Sequence, residues 1–501
     1  MTVNKRPLNV IKFLQLSSPR RFISSLPGTE QLPSIAPKPS INIKHIRQNP
    51  ERYADNCIAR NYKDQAANPS KIVRLFDDWK ELQRQGRGLR EKNNEIRTKL
   101  SHAKTFSGRE ANDHADDHPR ESHLEEARLL KQQIGEIESK EEQLTDEIDR
   151  LAAELPNLTS SETPTGREPR VVGYINEHPQ FDDSSSGWTW RNHVHIGNEF
   201  DLLDFAGAAT TTGWGWYYLK NEAALLEQAL VQYALHVAIK HGFMVVSPPS
   251  MVYSHIAAAC GFRPRDQNGE HQVYAIQQSE KHQGSSKPEH SLSGTAEIPF
   301  AGLKANSTME EADLPLRIVG SSRCYRAEAG ARGVETKGLY RVHEFTKVEM
   351  FGWTLPGAET ELFDTMVAIQ TEILQNLGLH CRVLEMPAFD LGASAVRKQD
   401  IEAYFPSRRD KDAGWGEVTS VSICTDYQTR RLATRVRTDA SKGASQGKLD
   451  FPSTVNGTVV AVPRIIAALL ENGWREKEGC VVVPEVLWPW MHGVKVIKKR
   501  R

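Results

Sequence analysis

The sequence predicts an α+β protein: a main domain built on a largely antiparallel β-sheet with flanking helices, preceded by an antiparallel helical hairpin. Three observations carry this. Two heptad-spaced apolar runs, over residues 71–100 and 130–155, are separated by a polar, turn-rich stretch. Downstream, helical and β-prone runs mix without a regular βαβα alternation. No glycine-rich phosphate loop follows a strand, which disfavours Rossmann and P-loop architectures. Between Ser322 and Met350, two β-prone runs flank a glycine-rich link from Gly330 to Gly338, the pattern of a long β-hairpin.

Composition narrows the classes. At 501 residues the chain has room for two or three domains. Its 64 Lys+Arg balance 64 Asp+Glu, so any nucleic-acid contact must use a local patch. The six cysteines, among them Cys57, Cys260 and Cys424, show no CxxC or Cys/His spacing, which predicts reduced thiols and no structural zinc. No apolar run approaches a membrane span.

Taken in order, residues 1–29 carry Lys5, Arg6, Lys12, Arg20 and Arg21 with no acid before Glu30, the composition of a mitochondrial presequence. Pro27, Pro33, Pro37 and Pro39 mark a linker, and folding is expected from Ile41. The first helix is expected from Lys71 to Leu100. Ile72, Leu75, Trp79, Leu82, Leu89, Ile96 and Leu100 form its seam, with Gly86 and Asn93 filling two places. Leu130 through Leu155 forms the second, which Pro156 stops. The predicted hairpin is about 45 to 50 Å long at 1.5 Å rise per residue. Its charge is split. Residues 71–100 hold nine Lys/Arg against five Asp/Glu, and residues 122–155 hold four against ten, so only the first helix suits a phosphate backbone. A dimerisation coiled coil or a solvated strut would show the same seams.

Residues 156–200 read as a Pro-, Gly- and Ser-rich connection. Helices are expected near 221–241, 358–377 and 462–472, and strands near 243–246, 316–319, 381–385 and 417–424. Residues 277–290 read as a polar surface insertion and 495–501 as a basic disordered tail. The expected division is presequence and linker 1–40, hairpin domain 41–157 and main domain 158–501.

The chemistry concentrates in residues 322–350. Arg326, Glu328, Arg341, Glu344, Lys347 and Glu349 crowd together, a density of opposed charge that an interior tolerates when ligands or partners neutralise it. The run from Leu339 to Met350 alternates strictly, placing Arg341, Phe345 and Glu349 on one strand face. An arginine, an aromatic ring and a carboxylate in register suit a phosphate, a base and an amine. A salt-bridged edge hairpin is the other reading of the same residues.

The order of motifs resembles that of the seryl-tRNA synthetases, class II aminoacyl-tRNA synthetases, of the mitochondrial, fungal-like type with an N-terminal helical arm. Residues Gly242 to Pro249 resemble class II motif 1, CYRAEAG with GLYRVHEFTKVEM resembles motif 2, and Asn456 to Arg464 resembles motif 3. Thr295-Ala296-Glu297 and Trp415 to Ser420 resemble the family's serine- and ATP-contacting segments. The resemblance implies a class II antiparallel sheet and a homodimer closed by motif 1. It also implies ligation of L-serine to tRNA(Ser) through a seryl-adenylate.

The resemblance further implies roles. Thr295, Glu297, Arg326, Glu349, Asn456 and Thr458 would hold serine, with Glu349 accepting from its hydroxyl or its amine. Arg326, Glu328, Arg341, Val342, Phe345, Glu417, Ser420 and Arg464 would hold ATP, with Phe345 stacking on adenine and Arg464 reaching the γ-phosphate. Glu417 would hold Mg2+ beside the phosphates. Residues of the basic helix Lys71 to Leu100, such as Arg84, Arg87, Arg90 and Arg97, would meet the long variable arm of the tRNA. No side chain is evident as a base for the transfer step. A catalytically silent paralog acting as an RNA-binding or interaction protein is the competing reading, yet it should have lost Arg326, Arg464, Glu297, Glu349 or Asn456. The expected compartment is the mitochondrial matrix, with a second, cytosolic pool left open.

Overall fold

The computed structural model describes residues 35–106, 118–178, 191–262, 272–278, 287–328, 338–438 and 447–500. The expected presequence, the hairpin tip with Asp116-Asp117, residues 330–337 of the glycine-rich link and 279–286 of the polar insertion lie outside them.

Helices α1 (Asn68–Phe106) and α2 (His118–Ala153) form the hairpin. Both ends of α1 pass the expected limits of Lys71 and Leu100. At the first, the Lys71 N–H already donates to the Ala67 carbonyl at 3.2 Å, a helical bond that places Lys71 inside the first turn instead of at the start. Pro69 sits one residue into the helix, where its missing N–H costs nothing, so it opens the helix instead of delaying it. At the second, neither proline nor glycine occurs from Ser101 to Phe106 to break the helix. With 39 residues, α1 is about 58 Å long. Ile96, Leu130, Ile148 and Leu151 are buried along the seam. At Gly86 a Cβ would lie 3.3 Å from Ile137 Cγ2 and 3.1 Å from Arg90 Nη1. This gap in the heptad is therefore a place of close approach between the helices.

The hairpin root packs Ile46, Cys57, Ile72, Leu151 and Leu155 into a small core. Fully buried Arg60 donates to the carbonyls of Asn157 and Gly392, and the Asn157 N–H donates to the Ala393 carbonyl at 2.8 Å. The root is thus tied to a loop of the main domain.

The main sheet has eight strands: β1 (Arg170–Ile175), β2 (Met244–Val245), β3 (Leu316–Tyr325), β4 (Glu344–Thr354), β5 (Cys381–Glu385), β6 (Arg397–Tyr404), β7 (Trp415–Thr425) and β8 (Ser453–Ala461). Their order is β1-β5-β6-β7-β8-β4-β3-β2, and all neighbours are antiparallel except β2 and β3. Helices α3 (Asn221–Lys240), α4 (Glu359–Asn376) and α5 (Val462–Asn472) cover one face. Leu230, Met366 and Ile466 pack there against Val348, Met350, Val421 and Val455. Alternation along β4 sends Phe345, Lys347 and Glu349 to the opposite face. Phe351 and Trp353 continue that face into a second apolar cluster with Ile298 and Phe300, which holds the short helix Glu297–Gly302.

Several further expectations change. Strand β4 begins at Glu344, because the His343 N–H donates to the Gly215 carbonyl at 3.1 Å and the His343 carbonyl accepts from Arg326 N–H at 2.8 Å. Arg341 therefore leaves the strand, and only Phe345 and Glu349 keep the expected register. The 156–200 stretch is more than a connection, since it holds β1 and the helix His193–Glu199. Strands β6 and β8 have no counterpart among the expected strands, and Asn456-Gly457, a turn signal in isolation, lies mid-strand opposite Phe351 and Met350. The basic tail is ordered as a strand over Val496–Lys498 beside Cys480–Val482, with Lys499 and Arg500 paired to Glu199 and Glu222.

Candidate active site

On the uncovered sheet face, β4, β8 and β7 floor a cleft of about 320 Å³ that opens to solvent. Every residue expected in the serine and ATP sites, from Thr295 to Arg464, lines it. The sheet accounts for this convergence. Glu349 lies opposite Thr458, and a bulge leaves Val459 unpaired on β8, so Asn456 and Thr458 face the cleft while Val455, Val459 and Val460 face the helices.

The inner end is built from carboxylates. Glu297 accepts from Gln428 Nε2 at 2.7 Å and from Asn456 Nδ2 at 3.0 Å. Burial, reinforced by the negative charge of Glu349, pushes its carboxyl up to about 8. Glu349 Oε2 accepts from Thr458 Oγ1 at 3.1 Å and lies 2.6 Å from Lys347 Nζ, which also donates to Thr295 Oγ1 at 2.6 Å.

Arginines and rings build the outer end. The Arg326 guanidinium carbon sits 5.2 Å from the Phe345 ring centre, and that of Arg464 sits 4.6 Å from the Tyr340 ring centre. Arg464 Nη1 donates to Glu417 Oε2 at 3.1 Å and to the Glu417 carbonyl at 2.9 Å. Burial would raise the Glu417 carboxyl, but Lys398, Arg464 and Arg326 outweigh it and hold the group at about 2. Arg341 pairs with Glu328 at 3.0 Å, and Glu328 itself adopts φ 46°, a left-handed conformation that a glutamate rarely takes.

The basic helix does not present one uniform face. Arg84, Arg87 and Arg97 are exposed along α1, and Arg84 bonds to Glu81 at 2.8 Å. Arg90 instead turns to α2, 3.2 Å from Glu138 and 3.7 Å from Glu141, and so serves the hairpin seam. Lys71 is exposed too, but it lies at the root, next in sequence to Ile72 of the root core, near Glu147 of α2, whose carboxyl the Arg150 hydrogen bond chiefly holds low, with a smaller share from Lys71. Lys92 and Lys99 are exposed along the middle and far parts of the same stretch, beside the exposed arginines.

Residues 280–473 match the family described as tRNA synthetase class II core domain (G, H, P, S and T). Residues 41–159 match the seryl-tRNA synthetase N-terminal domain. The mitochondrial serine–tRNA ligase of Saccharomyces cerevisiae is 42% identical over 372 residues, 74% of this chain and 78% of that one. That of Schizosaccharomyces pombe is 37% identical over 92% of this chain and 90% of its own. The chain belongs to the seryl-tRNA synthetase family. The seryl-tRNA synthetase of Pyrococcus horikoshii, crystallised with ATP, superposes with a TM-score of 0.79 at 30% identity, over 92% of this chain and all of that one.

Several polar residues of this synthetase cleft escape the sequence reading. Lys347 figures there only as part of a charged run, yet its side chain is 6% exposed between two site residues. Lys398 also lines the cleft and bonds to Asp400 at 2.8 Å. Burial lifts the Asp400 carboxyl to about 7 despite that lysine. Gln428, fully buried, holds Glu297 from a helix far along the chain. The alternation Lys398-Gln399-Asp400 is the available signal for the second pair. For Gln428 nothing local distinguishes it from any helical glutamine.

Proposed function

We propose that this chain is a class II aminoacyl-tRNA synthetase that activates L-serine with ATP and transfers it to the 3′ end of tRNA(Ser). One observation carries the reading: a single cleft has a carboxylate-lined inner end and an arginine-and-ring outer end, joined across β4, β8 and β7. A small zwitterion fits the first, with its ammonium toward Glu297 and its carboxylate toward Arg326. A nucleoside triphosphate fits the second, with its base on Phe345 and its phosphates between Arg326 and Arg464. Arg326 lies over the Phe345 ring, so a base stacking there takes that place as the guanidinium turns to the phosphates.

A serine carboxylate oxygen then bonds to the α-phosphorus as the α–β bridge breaks and pyrophosphate leaves. The guanidiniums of Arg326 and Arg464 neutralise the developing charge, and the cleft supplies orientation instead of a general base. Glu417, ionised at neutral pH, would hold a Mg2+ through its carboxylate. Bound there, the ion would neutralise phosphate charge. In the second step a ribose hydroxyl at the tRNA 3′ end attacks the seryl carbonyl and AMP leaves.

The division of labour follows the proposed domains, a hairpin unit at 41–157 and a catalytic unit at 158–501. The exposed Arg84, Arg87 and Arg97 of α1 suit the phosphates of the tRNA variable arm, with Lys71 and Arg90 left to the hairpin itself. Exposed Ile239, Met244 and Val245 lie together where α3 meets the sheet edge, an apolar surface that fits a second copy of the chain. The names of the yeast and fission-yeast relatives and the basic N-terminal segment support the mitochondrial matrix. Serine-dependent ATP–pyrophosphate exchange tests the activity, and its absence with intact protein would remove the proposal.

A further inference from the structure

We propose that Lys347 reads the substrate's side-chain hydroxyl and is a specificity-determining residue of the amino-acid pocket; this rests on the serine-activating reading above. The geometry separates two carboxylates that the sequence leaves equivalent. Glu297 is held by two neutral amides, Gln428 and Asn456, so its carboxyl, on giving up its proton, becomes the anion that suits the substrate ammonium. Glu349 has a lysine ammonium 2.6 Å away, so its corner is close to neutral and suits an uncharged group. An ammonium carries three donors. Lys347 places one on Glu349 and one on Thr295 Oγ1 at 2.6 Å, and the third is left for the cleft it lines.

A hydroxyl at that point donates to Glu349 and accepts from Lys347, satisfying both polar capacities. Alanine leaves a buried donor and acceptor unmatched, the condition under which a site rejects an analogue strongly. A side-chain ammonium at the same point meets the charge of Lys347.

The test uses the full chain in ATP–pyrophosphate exchange with serine and with alanine. Lys347→Met is expected to lower kcat/KM for serine by about 10²-fold, mainly through KM, while alanine changes less than about threefold, collapsing the serine preference. Lys347→Arg, which keeps donors and charge, is expected to recover part of that preference. An unchanged serine-to-alanine ratio in Lys347→Met would overturn the proposal. Should that variant fail to fold, the wild-type protein decides: L-2,3-diaminopropionate is expected to compete with serine more weakly than alanine does. Tighter competition than alanine would mean that Glu349, unopposed by Lys347, faces the side chain. A wild-type protein inactive with serine would instead remove the activity itself, a different result from either.

Discussion

Glu297 and Glu417 share one cleft, yet their carboxyls stand on opposite sides of neutrality, at about 8 and about 2. Burial and the negative charge of Glu349 raise the first, whereas at Glu417 the charges of Lys398, Arg464 and Arg326 outweigh burial. The raised group favours folding fully below its ordinary 4.5 and loses that contribution as pH rises through about 8. The depressed group contributes above 4.5 and loses its share only as pH falls through about 2. Serine's ammonium needs Glu297 ionised, so serine binding at pH 7 is expected to release about one proton. Calorimetry in two buffers of different ionisation enthalpy reads this directly, and Glu297→Gln should abolish the release. Arg326→Ala is expected to lower serine-dependent exchange by at least about 10³-fold, since in the proposed reading it removes a charge that both substrates would use. That Arg326, Glu349 and Arg464 line one cleft is legible in the sequence, because their motifs stand in a recognisable order. The places of Lys347 and Gln428 are not, because only the folded sheet shows which charge neutralises which.

The hairpin and its root behave differently as elements. Gln83 Nε2 donates to Glu141 Oε2 at 2.7 Å, so these residues face each other across the pair. Replacing 84–140 with a short turn is expected to leave amino-acid activation intact and to remove tRNA charging, measured as exchange and as aminoacylation. Removing everything from Lys71 to Leu155 would be a poorer cut, because Ile72, Leu151 and Leu155 complete the root core. The root also reaches the cleft, since Arg60 holds Gly392, a lining residue. Arg60→Ala is expected to cost about 2–4 kcal/mol in chemical denaturation, by loss of hydrogen bonds to a buried charge. Heptads and helix periodicity made α1 to α5 legible to within a few residues of most ends, but α2 begins at His118, well before the expected Leu130, where its sequence is too polar to show the seam. Strand β6 was not, because its cleft-facing Lys398 and Asp400 give it the polarity of a loop. The bend before β4 depends on the contact with Gly215, which no local pattern encodes.

For the whole molecule, the apolar edge at Ile239, Met244 and Val245 predicts a particle of twice the 56.3 kDa chain mass. Sedimentation equilibrium of Ile239→Asp/Met244→Asp is expected to show monomer. The edge strand is held closely: a Cβ at Gly320 would lie 2.0 Å from the Val246 carbonyl, so only glycine lets β2 lie against β3 there. The antiparallel sheet was legible as a class from the missing βαβ rhythm, whereas its order, with sequence-distant β8 between β7 and β4, follows from pairing that only the fold reveals. The central claim is that this one cleft joins serine to ATP for delivery to tRNA. ATP–pyrophosphate exchange with serine, followed by charging of serine tRNA with labelled serine, measures both halves. Exchange dependent on serine and stable esterification of that tRNA is the predicted result; exchange driven equally by alanine or threonine, or none with any amino acid, would contradict it.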